Sequence, residues 1–311
     1  MVAALASAPL AGAALLPSPA LAGPALTVDP PRARPGDAVL VTVRGTAEAP
    51  RGTLAGRDLR FWAVEGGWQA VGALPLEQAP GAAEVAVRAP AELSARLEIV
   101  EPGFPETQLR VEPKYVTPSP AQQKRMEEDQ AAFEAAWRQP FGAPAFEAAF
   151  APPRTSAVTG PFGERRLFNG KKQSQHRGTD LAGAVGEPVE ASNDGVVVLA
   201  RDCYASGKSL VLWHGADLFS VYFHLDAFEV KPGDRVRRGH RVARVGMTGR
   251  VTGPHLHFGV KVGDRYVDPA SVYRLSFGPP RAPRRGRRAG CAGAPGSRRR
   301  WCRPTGSRHP R

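Results

Sequence analysis

Two short patterns in the second half of the chain carry side chains able to hold a metal or move a proton: His176-Arg-Gly-Thr-Asp180 and His255-Leu256-His257. Zinc favours imidazole nitrogen and carboxylate oxygen in tetrahedral sites, and a catalytic zinc site takes three protein ligands and leaves the fourth position to water. Two histidines and one aspartate meet that count. On a strand successive side chains alternate faces, so His-x-His sends both imidazoles to one side and Leu256 to the other. The pair can therefore share one site without both being ligands. His224 is a further candidate, ending a run in which alternation puts Phe219, Val221 and Phe223 on one face and Ser220, Tyr222 and His224 on the other. Cys203 has no base near it in sequence and reads as a buried or surface thiol rather than a nucleophile. His214, His240 and His309 read as structural or surface residues.

Such side chains need a rigid scaffold, and residues 154 to 278 supply the pattern of one. Gly195–Ala200, Ser209–His214, Phe219–His224 and Leu256–Val260 read as strands, with turns at Lys231-Pro-Gly-Asp234 and Gly246-Met-Thr-Gly249. The expectation is a mostly antiparallel sheet that carries six of the seven histidines. Residues 24 to 113 show short β-type runs at Ala38–Val43, Leu59–Val64, Val85–Val87 and Ala95–Val100. Turn signals at Arg34-Pro-Gly-Asp37, Glu65-Gly-Gly67 and Glu101-Pro-Gly103 separate them at the spacing of a β-sandwich. That stretch holds no constellation suited to chemistry and reads as a structural or targeting module. Between the two, residues 114 to 153 predict a helix and a linker. Ser119 is the N-cap, Pro120 the first helical residue and Gln122 the partner of a capping box. Met126, Phe133 and Trp137 share one face at helical spacing and predict packing onto a neighbouring domain.

The chain has 311 residues, with 42 Lys plus Arg against 29 Asp plus Glu and a formal charge of +13, a balance that invites a nucleic-acid reading. The excess is local. Residues 279 to 311 hold 11 Arg and no acidic residue, which leaves 31 basic against 29 acidic residues elsewhere and removes the case for a nucleic-acid partner. That tail can bury no core and is expected to be disordered, either a basic arm for anionic wall polymers or a read-through or frame-shifted end. Residues 1 to 22 have the apolar run and the Ala20-Leu21-Ala22 site of a signal peptide, so export is expected, with no stable membrane insertion after cleavage. No later segment has the ~20 apolar residues of a membrane-spanning helix. Cys203, Cys291 and Cys302 are too few for a disulfide framework or a cysteine zinc site.

Over residues 154 to 275 the sequence resembles the zinc metallopeptidases of lysostaphin and LytM type, peptidase family M23. The resemblance rests on Gly160-Pro-Phe-Gly-Glu-Arg-Arg166, His176-x-x-x-Asp180, Gly186-Glu-Pro-Val, Tyr222-Phe-His-Leu225, Gly246-x-Thr-Gly-Arg250, Thr252-Gly-Pro-His-Leu-His-Phe258 and Val267-Asp-Pro269, in that order. It implies a mainly β fold with a LytM-type catalytic sheet. It further implies one zinc ion per chain on His176, Asp180 and His257, with His224 and His255 flanking the water and the scissile carbonyl. The implied substrate is bacterial peptidoglycan, cut in its stem peptides or cross-links by an exported endopeptidase of the periplasm, cell envelope or extracellular space. A catalytically inactive wall-binding or amidase-activating protein is the alternative, and such proteins lose zinc ligands that are all present here. Phe223 departs from the family, replacing a small residue between Tyr222 and His224, and His240 stands where an uncharged polar residue is commoner. Glu164, Arg165, Arg166 and Asn169 are expected to be scaffold; the other reading has the first three orient substrate or form surface ion pairs and Asn169 sit near the cleft mouth.

Overall fold

The computed structural model of the chain describes residues 23–109, 118–168 and 172–279. The leader, Asn169, and the tail with Cys291, Cys302 and His309 lie outside the described residues. Residues 23–109 pack two sheets face to face. The first sheet orders β1 (Ala25–Asp29), β3 (Ala38–Arg44), β7 (Gly67–Ala73) and β6 (Trp62–Val64). The second orders β2 (Arg32–Ala33), β9 (Ala91–Ile99), β8 (Gly81–Ala89), β4 (Arg51–Leu54) and β5 (Arg57–Leu59).

The continuous apolar run of β3 has a physical reason, because a strand covered on both faces has no polar side. Val39, Val41 and Val43 fill the sandwich interior, while Ala38 and Leu40 enter the core of the C-terminal sheet together with Trp62, Val64 and Val71. The run read as one strand over 59–64 is two. The chain leaves the second sheet at Leu59 and joins the first at Trp62, with Phe61 still in the sandwich core and Trp62 and Val64 facing the other way. Polar ties reinforce this shared core: Arg34 pairs with Asp268 at 2.7 Å, and the Ala38 amide donates to Ser271 Oγ at 2.8 Å.

The main C-terminal sheet orders β11 (Val158–Gly160), β14 (Thr179–Ala182), β22 (His255–Val262), β18 (Leu218–Leu225), β17 (Gly207–Trp213), β16 (Gly195–Cys203) and β20 (Arg235–Val236). β23 (Arg265–Val267) adds to β22, and all of these pairings are antiparallel. A small sheet of β15 (Pro188–Glu190), β21 (Arg241–Arg244) and β19 (Ala227–Phe228) flanks it. A third sheet joins the modules: β10 (Glu106–Leu109), at the end of the sandwich, runs parallel to β12 (Arg165–Phe168), whose other partner is β13 (Lys172–Gln175). The short helix α2 (Pro269–Val272) is capped by Asp268.

Helix α1 (Pro120–Trp137) forms with the expected capping box between Ser119 and Gln122. Its Phe133 and Trp137 meet Phe223 and Phe219 edge to face, with ring centroids 5.7 and 5.1 Å apart, so the helix lies on the outer face of β18. Asp129 anchors it further, accepting from Arg201 Nε at 2.8 Å and the Tyr204 amide at 2.7 Å. Among the described residues no helix is long and apolar enough to cross a membrane.

Candidate metal centre and active site

Asp180 on β14 stands directly opposite His257 on β22, so pairing alone places their side chains together on one face. His176 precedes β14, and backbone hydrogen bonds fix it there: its amide donates to Glu164 O and its carbonyl accepts from the Gly163 amide. Three atoms converge. His176 Nε2 lies 3.1 Å from Asp180 Oδ1 and 3.0 Å from His257 Nδ1, and His257 Nδ1 lies 2.9 Å from the same oxygen. The side chains are 5, 12 and 13% exposed, so little water reaches them.

The donor set fits a metal cation. His176 Nδ1 donates to Pro161 O at 2.9 Å, which leaves Nε2 as a lone pair aimed at the centre, and the second oxygen of Asp180 is occupied by Arg166 at 3.0 Å. Three acceptor atoms pointed at one another repel unless a proton or a metal ion sits among them, and two imidazoles with one carboxylate are a zinc-type set. Burial by itself would push the Asp180 carboxyl up, but the His176 and His257 imidazoles beside it hold it far below the usual carboxylate range. Burial pushes the His257 imidazole down despite the Asp180 carboxylate beside it.

His255 lies on the same strand face as His257, with Nδ1 donating to Gly253 O at 2.9 Å and Nε2 3.7 Å from Asp180 Oδ1. His224 joins them by a route that strict alternation does not allow. Lys208 pairs with Leu225 and Leu210 with Tyr222, so β18 carries one residue more than β17, and His224 occupies the left-handed region at φ 64°. This bulge turns both Phe223 and His224 outward and returns Leu225 to the core. The expectation that Tyr222 and His224 share a face is therefore corrected. Tyr222 is fully buried on the opposite side, where its hydroxyl accepts from the Ser192 amide at 2.9 Å. The His224 and His255 rings are 5.0 Å apart. His224 Nδ1 donates to Thr248 O at 3.0 Å, and burial, then the neighbouring His257, lower its imidazole to about 3. In both rings Nδ1 is thus held by a backbone carbonyl, and Nε2 of His255 faces Asp180.

His257 is confined from two sides. Phe223, its cross-strand partner on β18, stacks on it with centroids 5.3 Å apart and planes 5° apart, and Phe133 of α1 backs Phe223. On the β14 side a Cβ at Gly178 would stand 2.6 Å from His257 Cε1 and Nε2. The departure at Phe223 thus packs against a ring of the centre. Glu164 and Arg166 are neither surface ion pairs nor free to orient substrate: they pair with each other at 2.6 Å, and Arg166 reaches Asp180. Pro161 and Thr248 were not legible as site residues, since they act through carbonyls that every residue has. Cys203 is buried with its thiol pushed up by burial, away from nucleophile character. His214 is buried behind the sheet and His240 is exposed.

The Peptidase family M23 profile matches residues 174–269. Peptidoglycan DD-endopeptidase ShyA of Vibrio cholerae is 43% identical over 112 residues, covering 36% of this chain and 26% of that protein. Peptidoglycan DD-endopeptidase ShyB of the same organism is 46% identical over 93 residues, covering 30% and 22%. The matched part thus spans about a quarter of the length of these curated relatives. A crystal structure of an M23 peptidase from Pseudomonas aeruginosa has a TM-score of 0.60 at 30% identity and covers 78% of this chain and 95% of that one.

Proposed function

The chain belongs to peptidase family M23, and from that premise we propose that it is an exported, zinc-dependent endopeptidase that hydrolyses peptide bonds in peptidoglycan stem peptides or cross-links. The observation that carries the reading is the convergence of His176 Nε2, Asp180 Oδ1 and His257 Nδ1 beside two further imidazoles, each held at Nδ1 by a backbone carbonyl. The substrate class follows the names of the relatives, and export follows the substrate, which lies outside the cytoplasmic membrane, together with the leader pattern of residues 1–22.

In this reading His176, Asp180 and His257 hold one zinc ion. When bound, zinc supplies a Lewis acid that polarises the scissile carbonyl and acidifies water toward neutral pH. His224, whose Nδ1 donates to Thr248 O and leaves Nε2 as the acceptor, would take the proton of the attacking water and return it to the leaving amine. His255 stands 5.0 Å away, ring to ring, and in its imidazolium form would donate from Nε2 to the carbonyl oxygen as negative charge grows there, with Nδ1 kept on Gly253 O. The Thr248 carbonyl holds His224 in the tautomer that leaves Nε2 as the acceptor, and the Gly253 carbonyl fixes the orientation of the His255 ring.

Metal content and rate measured on the same variants test this assignment. His176→Ala, Asp180→Ala and His257→Ala should each lose stoichiometric zinc. His224→Ala and His255→Ala should keep zinc and fold yet lose about 10²-fold or more in release of muropeptides from purified sacculi. Zinc retained by Asp180→Ala, or parental turnover in either of the last two variants, refutes the role given to that residue.

A further inference from the structure

Asp180 is held by a chain of side chains that begins in the sandwich module. Thr107 Oγ1 on β10 donates to Glu164 Oε1 at 2.7 Å, Arg166 Nε donates to Glu164 Oε2 at 2.6 Å, and Arg166 Nη2 donates to Asp180 Oδ2 at 3.0 Å. The ion pairs are sheltered, with Glu164 12% and Arg166 23% exposed. Each carboxylate oxygen of Glu164 has one partner, so the pair has a single geometry. Burial alone would push the Glu164 carboxyl up, and the bonds from Thr107 and Arg166 reverse that.

The backbone holds both ends of the chain. β10 pairs with β12 in register Thr107 to Arg166, and the Arg165 amide donates to Pro105 O at 2.9 Å. Phe104 covers Gly163, where a Cβ would stand 2.2 Å from its ring, and Phe162 fits against Gly36, whose φ of 84° and 2.5 Å clearance admit no side chain there. Gly160 leaves room for the Arg166 and Asp180 pair, since a Cβ there would stand 2.5 Å from Asp180 Oδ2. Segment 160–164 also supplies the Pro161 carbonyl that orients His176. The chain of the sandwich module thus touches the supports of two of the three converging residues.

We propose that Thr107, Glu164 and Arg166 are positioning residues that fix which oxygen Asp180 presents, so that strand β10 of the sandwich module sets the metal affinity of the catalytic centre. With Oδ2 tied to Arg166, the carboxylate offers Oδ1 alone to the point shared by the two imidazoles. Without Thr107 the Glu164 carboxylate is free to turn, Arg166 follows it, and Asp180 loses its fixed orientation. Outer partners of metal ligands typically contribute 10- to 100-fold in affinity or activity. The proposal rests on the metal reading above.

The test is the zinc dissociation constant of the full chain, measured by competition with a chromophoric chelator at neutral pH, with circular dichroism to confirm fold. Arg166→Gln should weaken zinc by about 10- to 100-fold. Thr107→Val, which keeps shape and removes only the hydroxyl, should weaken it by at least about threefold, and Thr107→Ser should restore the parental value. The double variant Thr107→Val/Arg166→Gln should bind no more weakly than Arg166→Gln alone, because both act through Asp180. A folded Thr107→Val protein with parental affinity, or additive losses in the double variant, overturns the proposal while leaving the zinc site in place. A parent protein that takes up no zinc overturns the metal reading and this proposal with it.

Discussion

Gly178→Ala isolates the placement of one ligand. The new Cβ would stand 2.6 Å from His257 Cε1, 2.6 Å from His257 Nε2 and 2.6 Å from the backbone oxygen of Phe258, against an ordinary contact of at least 3.4 Å. Relief needs about 0.8 Å of movement from each, and neither neighbour can give it cheaply. Phe258 O belongs to β22, and retreat of the His257 ring toward β18 meets Phe223, itself backed by Phe133. Metal to ligand distances tolerate about 0.2 Å, so the forced shift is several times the tolerance. Misplacement on the scale of 1 Å costs about 10²-fold in rate. The backbone itself objects little, because Gly178 does not occupy the left-handed region, and reduced freedom of the unfolded chain offsets part of an overpacking cost of about 1–3 kcal/mol. The expected signature is a folded protein with zinc affinity and sacculus hydrolysis down by about two orders of magnitude. Chelator competition and muropeptide release measure it, with Gly142→Ala, where a Cβ meets nothing within 4 Å, as the neutral control. Zinc affinity within about threefold of the parent in Gly178→Ala would refute the argument that the His257 ring is confined.

Two more consequences follow from the packing. His214 is fully buried, donates through Nδ1 to Asp194 O at 2.7 Å, and has burial lowering its imidazole from 6.5 to about 4. Its folded value lies below its unfolded one, so its contribution is complete above about pH 6.5 and is lost as pH falls toward 4, a swing of about 3 kcal/mol. Urea unfolding of the metal-free protein at both ends of that window should show a smaller acid loss for His214→Gln than for the parent, and equal losses would sink the assignment. Phe133→Ala removes the support behind Phe223, with an expected stability loss of about 2 kcal/mol and zinc affinity reduced several-fold, both largely restored by Phe133→Leu. A destabilised Phe133→Ala protein with parental zinc affinity would show that α1 braces the sheet without steering His257.

Local chemistry determined much of this protein in advance. Capping and turn residues announced the helix at Ser119 and alternation announced that His255 and His257 share a face, because each is a relation between near neighbours in sequence. The grouping of His176 and Asp180 with His257, 77 residues beyond Asp180, came instead from the family resemblance. Tertiary structure decided what near neighbours cannot encode. Strict alternation assigned His224 to the side of Tyr222, and only the mismatch in pairing between β17 and β18, with φ of 64° at His224, brings it to the other face. Glu164 and Arg166 are two residues apart and read as scaffold, with nothing in the sequence to say what they support. Their roles come from Thr107, 57 residues from Glu164, and from Asp180, 14 from Arg166, placed by a parallel pairing that no local pattern announces. The same holds for Ala38 and Leu40, whose run looked like any β-strand until a second sheet covered its other face. Sequence determines side-chain type and local direction, whereas the partner across a strand or a sheet depends on how the whole chain closes, and that closure brings the five polar side chains together.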